Sequence, residues 1–406
     1  MLLSVSWRNI WRNKLRSTVL LLAVAIGITA GVFSWAFYWG MVEQRIETAI
    51  QTEVSHIQIH KKGYNENPDV NNNITGINST NEEILKIEGV KSVSGRILDN
   101  AMIMSAEKNL GVTVVGINPG NEKQVTNISD KLVQGDYFEG VKKNPVIIGE
   151  KLAKKLNVEV RKKIVLVMQQ TNGELTRAQF RVAGIFKTPN GIFNEGVVFV
   201  KNDDLSRVLG MNSESGHEIA ILLENSTYQE SVLQALNKKY PDLDIKPWRE
   251  ILPEVALMEE SMDISMMVMI IVILFALLFG IINTMLMAIL ERTKEIGMLM
   301  AIGMNKWRVF NMILLETLCL TLTGAIIGII ISSVLSVFFH EVGFDLSSGA
   351  EAYERLGYDS IVYPVLTLEM LIKTTIMVII TSILAAIYPA IKALSLKPAE
   401  AIRTDL

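Results

Sequence analysis

The chain has 406 residues, of which 50% are apolar, with a net charge of -3 at neutral pH and a mean hydropathy of +0.32. This balance excludes a nucleic-acid-binding protein, which carries an excess of Lys and Arg, and a disordered chain, which has a low apolar content. Cys319, the single cysteine, lies in an apolar run, so neither a disulfide framework nor a thiolate metal site can form within one chain. The composition indicates an integral membrane protein that carries one soluble domain.

The chain opens with a basic amphipathic segment over residues 1–16. Arg and Lys side chains surround one apolar helical face, whose members are Trp7, Ile10, Trp11 and Leu15. Such a segment is typical of a helix that lies on an anionic cytoplasmic leaflet. Residues 17–42 then carry no charge and end in the aromatic side chains Phe33, Trp35, Phe37, Tyr38 and Trp39. A signal peptide has a shorter apolar core followed by small residues, so we predict a retained first span with an aromatic belt at its outer end.

Residues 43–263 are soluble in character, with mixed charge and frequent Gly, Asn and Pro. A strand, helix, strand pattern occurs at both ends of this region and predicts a ferredoxin-like split fold. The two copies of the pattern are Val54–His60, Glu82–Ile87 and Val90–Ile97, then Ile219–Leu223, Tyr228–Tyr240 and Asp244–Trp248. Residues 116–211 between them predict an inserted β-rich subdomain. Its strands are Pro145–Ile148, Ile164–Gln169, Phe180–Phe186 and Val197–Val200, and its helix is Glu150–Leu156.

Three further apolar runs, at residues 264–290, 317–339 and 374–391, are predicted spans. The fold class is therefore a membrane α-helical protein with four transmembrane helices and an α+β domain between the first and second. Lys and Arg lie near span ends in residues 1–16, 291–309 and 392–406, whereas the connection 340–373 is poor in cations. By the positive-inside rule, both termini and residues 291–309 are cytoplasmic, and the 43–263 domain and the 340–373 loop are extracytoplasmic.

Residues 291–309 are charged and then amphipathic. Ile296, Leu299, Met300 and Gly303 recur at helical spacing, with Lys294, Glu295 and Lys306 on other faces. We expect a short helix at the membrane surface with one apolar side exposed. Composition leaves two interpretations open, an interfacial linker helix or a helix that presents its apolar side to a partner.

Several kinds of chemistry are excluded by the motifs. No Asp, Glu, Lys, Arg or His lies inside a predicted span, as ion-driven transport would require. No P-loop, G-x-S-x-G or H-E-x-x-H motif occurs, so we predict no catalytic residue and no bound nucleotide in this chain. His56 and His60 share one face of a predicted strand, but no third ligand lies near them in the sequence. We therefore expect an exposed polar strand face and no metal site there.

Three groups of motifs resemble the FtsX-like permeases of the MacB and LolCDE type of ABC transporter. The segment Glu291, Arg292, Glu295, Ile296, Gly297, Ala301, Ile302 and Gly303 matches the family pattern E-R-x-x-E-I-G-x-x-x-A-x-G. Tyr388 and Pro389, followed by Pro398, Glu400, Ala401, Ile402 and Arg403, match its C-terminal pattern. The soluble domain carries G-E-x-L-A-x-x-L from Gly149 and F-x-V-x-G-x-F from Phe180. The similarity covers essentially the whole chain.

This resemblance implies a dimer of permeases, homomeric or heteromeric, bound to two copies of a separate cytoplasmic ATPase that holds ATP and Mg. It gives residues 291–309 the role of a coupling helix in the bacterial inner membrane. The implied ATPase-coupling residues are Glu291, Arg292, Glu295, Ile296, Gly297, Ala301 and Gly303. The resemblance implies that motion of the soluble domain is driven through the stiff second span.

The expected substrate contacts lie at the outer mouth between the first and second spans, where aromatic and thioether side chains suit an acyl chain. They are Trp35, Phe37, Tyr38, Met41, Met258, Met262, Met266 and Met267, and a plain interfacial belt is the equal alternative. The S-H-I-Q-I-H-x-x-G-Y start of the soluble domain, from Ser55, is most similar to the lipoprotein-releasing permeases.

These permeases extract lipoproteins and pass them to a soluble periplasmic carrier. Here Gln169–Gln179 predicts a compact hairpin where the carrier-recruiting permease has a protruding loop. A non-recruiting subunit, a permease for peptide or drug efflux, and a signal transmitter for a cell-wall hydrolase therefore remain alternatives.

Overall fold

The computed structural model describes residues 14–395, so most of the predicted N-terminal helix over residues 1–16 and the tail from residue 396 lie outside it. Within residues 14–395, 4 helices are long and apolar enough to cross a membrane. They occupy Ser17–Val54, Pro253–Glu291, Lys306–Val342 and Leu368–Leu394. The sequence predictions of the four spans and of the soluble region between the first two agree with this order.

The chain forms two compact units. Within the described residues, the membrane unit contains residues 14–41, Glu259–Asp345 and residues 361–395, whereas the soluble unit contains Val42–Met258 and Leu346–Ser360. The α-helices are α1 (Lys14–Thr48), α2 (Ile77–Ile84), α3 (Pro119–Val125), α4 (Glu150–Leu156), α5 (Phe193–Gly196), α6 (Asn202–Leu209), α7 (Gln229–Lys239), α8 (Trp248–Ile251), α9 (Pro253–Glu291), α10 (Thr293–Ala301), α11 (Lys306–Val342), α12 (Ala350–Arg355) and α13 (Leu368–Leu394).

The strands form one large sheet and two short ladders. They are β1 (Ile57–Lys61), β2 (Ile74–Thr75), β3 (Val90–Met104), β4 (Asn109–Ile117), β5 (Leu132–Gly135), β6 (Pro145–Gly149), β7 (Lys163–Gln169), β8 (Leu175–Phe186), β9 (Val197–Lys201), β10 (Ser215–Gly216), β11 (Glu218–Leu223), β12 (Leu243–Pro247), β13 (Phe344–Asp345) and β14 (Ile361–Val362). The large sheet has the order β12-β1-β11-β3-β4-β9-β6-β8-β5, and β7 pairs with β3 and β8.

Close helix packing in the membrane unit depends on glycine. A Cβ added at Gly328 would lie 2.7 Å from the backbone oxygen of Ala25, and one at Gly324 would lie 3.0 Å from that of Leu21. The first and third spans therefore approach each other closely, as small residues at a helix interface in a membrane allow. The Ser332 hydroxyl donates to Ile329 O of its own helix. A hydrogen bond between helices is made by Ser382 Oγ of α13, which donates to Thr321 Oγ1 of α11 over 2.6 Å.

The long strand β3 belongs to both parts of the soluble unit. Its first half pairs with β11 and its second half pairs with β4 and β7. The hydrophobic core of the inserted part already includes Ile97, Ile103 and Val112, in addition to residues between 146 and 209. The inserted part thus begins earlier than the predicted boundary at residue 116, since one continuous strand leaves no linker between the two parts.

Two elements at the start of the soluble unit differ from the sequence predictions. A π-helix at Ala49–Val54 continues α1, so the strand predicted from Val54 begins only at Ile57. Ser55 ends the helical path with a φ of 61°, a left-handed conformation. The helix predicted at Glu82–Ile87 lies at Ile77–Ile84 instead, because the left-handed Gly76 starts it earlier.

A buried ion network lies where β3 meets α3 and β11. Arg96 donates to Glu122 Oε1 over 2.7 Å and to Glu218 Oε1 over 2.6 Å, and all three side chains are buried. Ser94 Oγ donates to Glu122 Oε2 over 2.7 Å and therefore satisfies a further carboxylate lone pair. Burial lowers the pKa of Arg96, but the two carboxylates more than offset this effect, so its net pKa is raised and the group stays charged.

Candidate coupling site

The predicted coupling segment is a short helix between two breaks. Helix α9 ends at Glu291, Arg292 leaves the helical path with φ at -101°, and α10 then covers Thr293–Ala301. The predicted single helix over residues 291–309 is therefore wrong. Gly303 has a φ of 97°, which ends the segment, and the Asn305 side chain accepts from Trp307 N over 3.0 Å to start α11 at Lys306.

The two faces of α10 have different surroundings. Ile296 and Gly297 are buried, and Ile296 lies in the core of the membrane unit with Ile289, Val309 and Ile313. The opposite face exposes Met298 at 55% and Ile302 at 78% of their surface, one helical turn apart. Because Lys294 and Glu295 share that face at helical spacing, it is a charged surface with an apolar centre.

This arrangement corrects the prediction of which apolar side is exposed. We expected Ile296, Leu299 and Met300 to form the outward apolar side, but Ile296 packs inward and Met300 packs against the same core. The exposure of Met298 and Ile302 was not predicted, because apolar spacing identifies an apolar face without telling whether its own chain already covers it. Of the other predicted coupling residues, Glu291, Glu295, Ala301 and Gly303 are exposed.

Arg292 ties the segment to the third span. Arg292 Nη1 lies 2.8 Å from Glu316 Oε1, and both side chains are largely buried. Glu316 lies within α11 and is 7% exposed, although the sequence places it at a span end. The pair fixes the beginning of α10 against α11, so Arg292 contributes to the position of the helix and does not lie on its outward face.

The predicted substrate contacts do not form one surface. Trp35 and Met262 are 2% exposed, and Trp35 belongs to the core of the membrane unit, against which Met266 packs. Phe37 lies edge-on to Phe344, with ring centroids 5.3 Å apart, in an aromatic group at the end of the third span. Met267 is exposed.

Tyr38 and Met41 are half-buried in the membrane unit, whereas Met258 belongs to the soluble unit. There Met258 Sδ accepts from the Tyr358 hydroxyl over 3.6 Å.

An ion cluster next to Trp35 was not predicted from the sequence. Lys373 Nζ lies 3.3 Å from Asp263 Oδ2 and 2.8 Å from Glu369 Oε1, and 5.8 Å from the centre of the Trp35 ring. It joins the beginnings of α9 and α13 beside α1. Glu369 and Lys373 are one helical turn apart, but Asp263 and Trp35 are distant from them in the sequence, so local spacing gives no sign of those two contacts.

The histidine face of β1 is buried and not exposed as predicted. Gln58 and His60 are 5% and 4% exposed, and His60 Nδ1 lies 2.9 Å from His217 O. No cluster of metal-ligating side chains occurs within residues 14–395. Burial lowers the pKa of His56 and of His217, so both rings favour the neutral form.

Two family models match the chain. The MacB-like periplasmic core domain matches residues 17–239, more than half of the chain, and the FtsX-like permease C-terminal domain matches residues 267–398. The second match includes α10 and the whole segment between the breaks described above.

Individual relatives are remote. The lipoprotein-releasing system transmembrane protein LolC of Xylella fastidiosa strain 9a5c is 22% identical over 322 residues, which cover 76% of each chain. The macrolide export ATP-binding/permease protein MacB of Chlorobaculum tepidum is 32% identical over 247 residues, or 57% of this chain and 35% of that protein.

Among solved structures, the extracellular domain of the transporter YknZ from Gram-positive bacteria matches with a TM-score of 0.34 at 16% identity. The match covers 47% of this chain and 98% of that domain. With the two family models covering both the soluble domain and the later spans, the chain belongs to the FtsX-like ABC transporter permeases with a MacB-like periplasmic core domain.

Proposed function

We propose that this chain is the permease subunit of an ABC transporter and that α10 docks on a separate cytoplasmic ATPase, which binds ATP and Mg. The observation that carries the proposal is the pair of exposed apolar side chains Met298 and Ile302 on a helix whose other face is held in the core. A few apolar anchors within a charged rim are typical of a helix that enters a groove on a partner.

The lack of a nucleotide-binding motif in this sequence supports the same assignment. The sequence contains no P-loop, and we propose that ATP hydrolysis is carried out by a separate subunit. The positive-inside rule puts the termini and α10 in the cytoplasm and the soluble domain outside, in a bacterial inner membrane. We infer a dimer of permeases, with two identical or two related chains. Within the soluble unit of each chain, the four-stranded order β12-β1-β11-β3 supports a ferredoxin-like fold for the first subdomain.

The substrate class that we propose is a lipoprotein extracted from the outer leaflet. The relative named as a LolC protein covers 76% of this chain and supports this choice. Of the proposed substrate contacts, Met267 is exposed and Tyr38 and Met41 are half-buried, so they are better placed for an acyl chain than the buried Trp35 and Met262. A soluble periplasmic carrier would then receive the lipoprotein.

A second candidate function is peptide or drug efflux, favoured by the MacB relative at 32% identity. Mass spectrometry of the complex purified from its own membrane separates the alternatives. A bound triacylated protein supports lipoprotein extraction, and a bound peptide or small drug supports efflux. A tightly bound cell-wall hydrolase without either would instead support signal transmission.

The docking proposal is tested with two surface variants of equal exposure. Ile302 and Leu175 are both 78% exposed, so Ile302→Asp and Leu175→Asp place the same charge on comparable surfaces. We expect Ile302→Asp to reduce co-purification of the co-expressed ATPase by about tenfold or more, as for a central interface anchor. Leu175→Asp should leave it unchanged. Equal recovery of the ATPase with both variants would contradict docking through α10.

A further inference from the structure

The connection between the third and fourth spans contains a segment that belongs to the soluble unit. Its residues, Leu346–Ser360, are here called the strap, and the chain on both sides of it belongs to the membrane unit. The neck of the strap is closed by the ladder of β13 with β14 and by a bond from Leu346 N to Ser360 O of 2.7 Å. Helix α12 lies within the strap.

Glu354 attaches the strap through both its side chain and its backbone. Its carboxylate lies 3.0 Å from Lys151 Nζ and 3.4 Å from Lys187 Nζ. Its backbone oxygen accepts from Gly191 N over 2.7 Å. The Glu354 side chain is 16% exposed, so these contacts are only partly screened by water.

Glycine at two positions lets the strap pack closely. A Cβ at Gly191 would lie 2.1 Å from Lys151 Nζ and 2.9 Å from the backbone oxygen of Glu354. A Cβ at Gly357 would lie 2.6 Å from Arg45 Nε, and Gly357 has a φ of 80°. A larger side chain at Gly191 would press on the backbone of Glu354, and one at Gly357 would displace the Arg45 side chain and strain the backbone.

The strap also contacts the ends of both long helices within the soluble unit. Arg45, beneath Gly357, pairs with Glu53 of the π-helix over 3.0 Å. Tyr358 is 4% exposed and donates to Met258 Sδ over 3.6 Å, at the beginning of α9. The strap thus contacts α1, α9 and the inserted part of the soluble domain together.

These contacts allow the connection between the third and fourth spans to transmit movement. The chain crosses between the two units inside α1 and α9, where continuous helices are stiff, and again at both ends of the strap. A loop of this length without attachments would be slack and would transmit no movement. Fixed by Glu354, it gives the third and fourth spans a direct connection to the soluble domain.

We propose that the strap is a second coupling element and that Glu354 is the positioning residue that transmits movement of the third and fourth spans to the soluble domain. This inference rests on the proposed ATP-driven function. It predicts that the contacts of Glu354 persist through the ATP cycle and that their loss uncouples the soluble domain without affecting the docking of the ATPase.

The first test is hydrogen–deuterium exchange on the full chain in lipid nanodiscs. Glu354→Gln keeps the shape of the side chain but removes the charge, and Glu351→Gln on the exposed side of α12 is the matched control. We expect Glu354→Gln to speed exchange in the strap and at Gly191 about threefold to tenfold, the range for a partly buried ion pair. The double variant Lys151→Gln, Lys187→Gln should do the same. Unchanged exchange in both would overturn the role of Glu354.

The second test uses the complex with its ATPase, trapped with ATP and vanadate. In the wild type, trapping should change exchange in the soluble domain, and Glu354→Gln should reduce that change severalfold while the ATPase still co-purifies. An undiminished change would reduce the strap to a structural brace and overturn the inference. Failure of the ATPase to bind the wild-type chain would instead overturn the proposed function and leave the strap contacts as measured.

Discussion

Two closely packed places, one in the soluble unit and one in the membrane unit, are stabilised by different means. In the soluble unit, Arg96 is buried between Glu122 and Glu218, so charge is held inside the fold. In the membrane unit, Gly324 and Gly328 bring two helix backbones together, with the side chains of Val24 and Ile28 packed beside them. The difference follows from the solvent, because water drives apolar burial while lipid does not, so helices in lipid associate through close packing.

The comparison also shows where each unit is vulnerable. A buried charge is harmful when it loses its partner, whereas a close backbone contact is harmed by added volume. Removal of the Arg96 charge should therefore destabilise the soluble unit, and enlargement at Gly328 should destabilise the membrane unit.

The largest effect is expected for Arg96→Met. The variant leaves Glu122 and Glu218 buried without their cation, which should lower the free energy of unfolding by about 3–5 kcal/mol. Denaturant unfolding of the full chain in detergent, followed by fluorescence, measures it. Arg177→Met changes an exposed arginine and should stay within about 0.5 kcal/mol. A loss below about 1 kcal/mol for Arg96→Met would mean that the network adds little to stability.

A smaller effect is expected for Gly328→Leu. The side chain would collide with the backbone of Ala25, and overpacking of this kind costs about 1–3 kcal/mol. Gly280→Leu is the matched control. Gly280 lies in α9, and a Cβ added there would have no neighbouring atom within 4 Å. Thermal unfolding in detergent should show a lower midpoint for Gly328→Leu only. Equal midpoints for the two variants would remove the contrast between the units.

The smallest effect concerns Asp99 of β3. Burial raises the pKa of Asp99 to about 6, because its Oδ2 is buried and has no hydrogen-bond partner within residues 14–395. An acid whose pKa is higher in the folded state stabilises the fold when protonated, so its contribution is full below about pH 4 and is lost as the pH rises through about 6.

Asp99→Asn should therefore raise stability near pH 7 by about 1 kcal/mol or less, after allowance for solvent screening, and should change little at pH 4. His56 and His217 act in the opposite direction, since their lowered pKa values cost stability as the pH falls. The difference between variant and wild type at each pH isolates Asp99. A constant difference from pH 4 to pH 7 would mean that Asp99 titrates normally in the folded chain.

Span order and most strands could be predicted from the sequence because they depend on local patterns. Uncharged runs of span length identify the four apolar helices, and alternation identifies strands such as β6 at Pro145–Gly149. The beginning of β1 was misplaced because a π-helix at Ala49–Val54 continues α1. No pattern in the sequence indicates this continuation.

The candidate site was predicted less completely than the fold. The position of α10 could be found from charge and period, but the direction of its faces could not. Ile296 and Met298 are both apolar, and only the packing of Ile296 against Val309 and Ile313 tells them apart. The ion pairs Arg292–Glu316 and Lys373–Asp263 join residues that are distant in the sequence, so local spacing gives no sign of them.

The shared strand β3 has a consequence for the order in which the chain folds during synthesis. Strand β1 pairs only with β11 and β12, which leave the ribosome after the entire inserted part has been made. The inserted part, by contrast, contains all the partners of the second half of β3. Because distant pairings form slowly and domains fold as they emerge, the inserted part should fold first. The part that contains β1, the first strand to be made, is then the last to fold because it waits for β11 and β12.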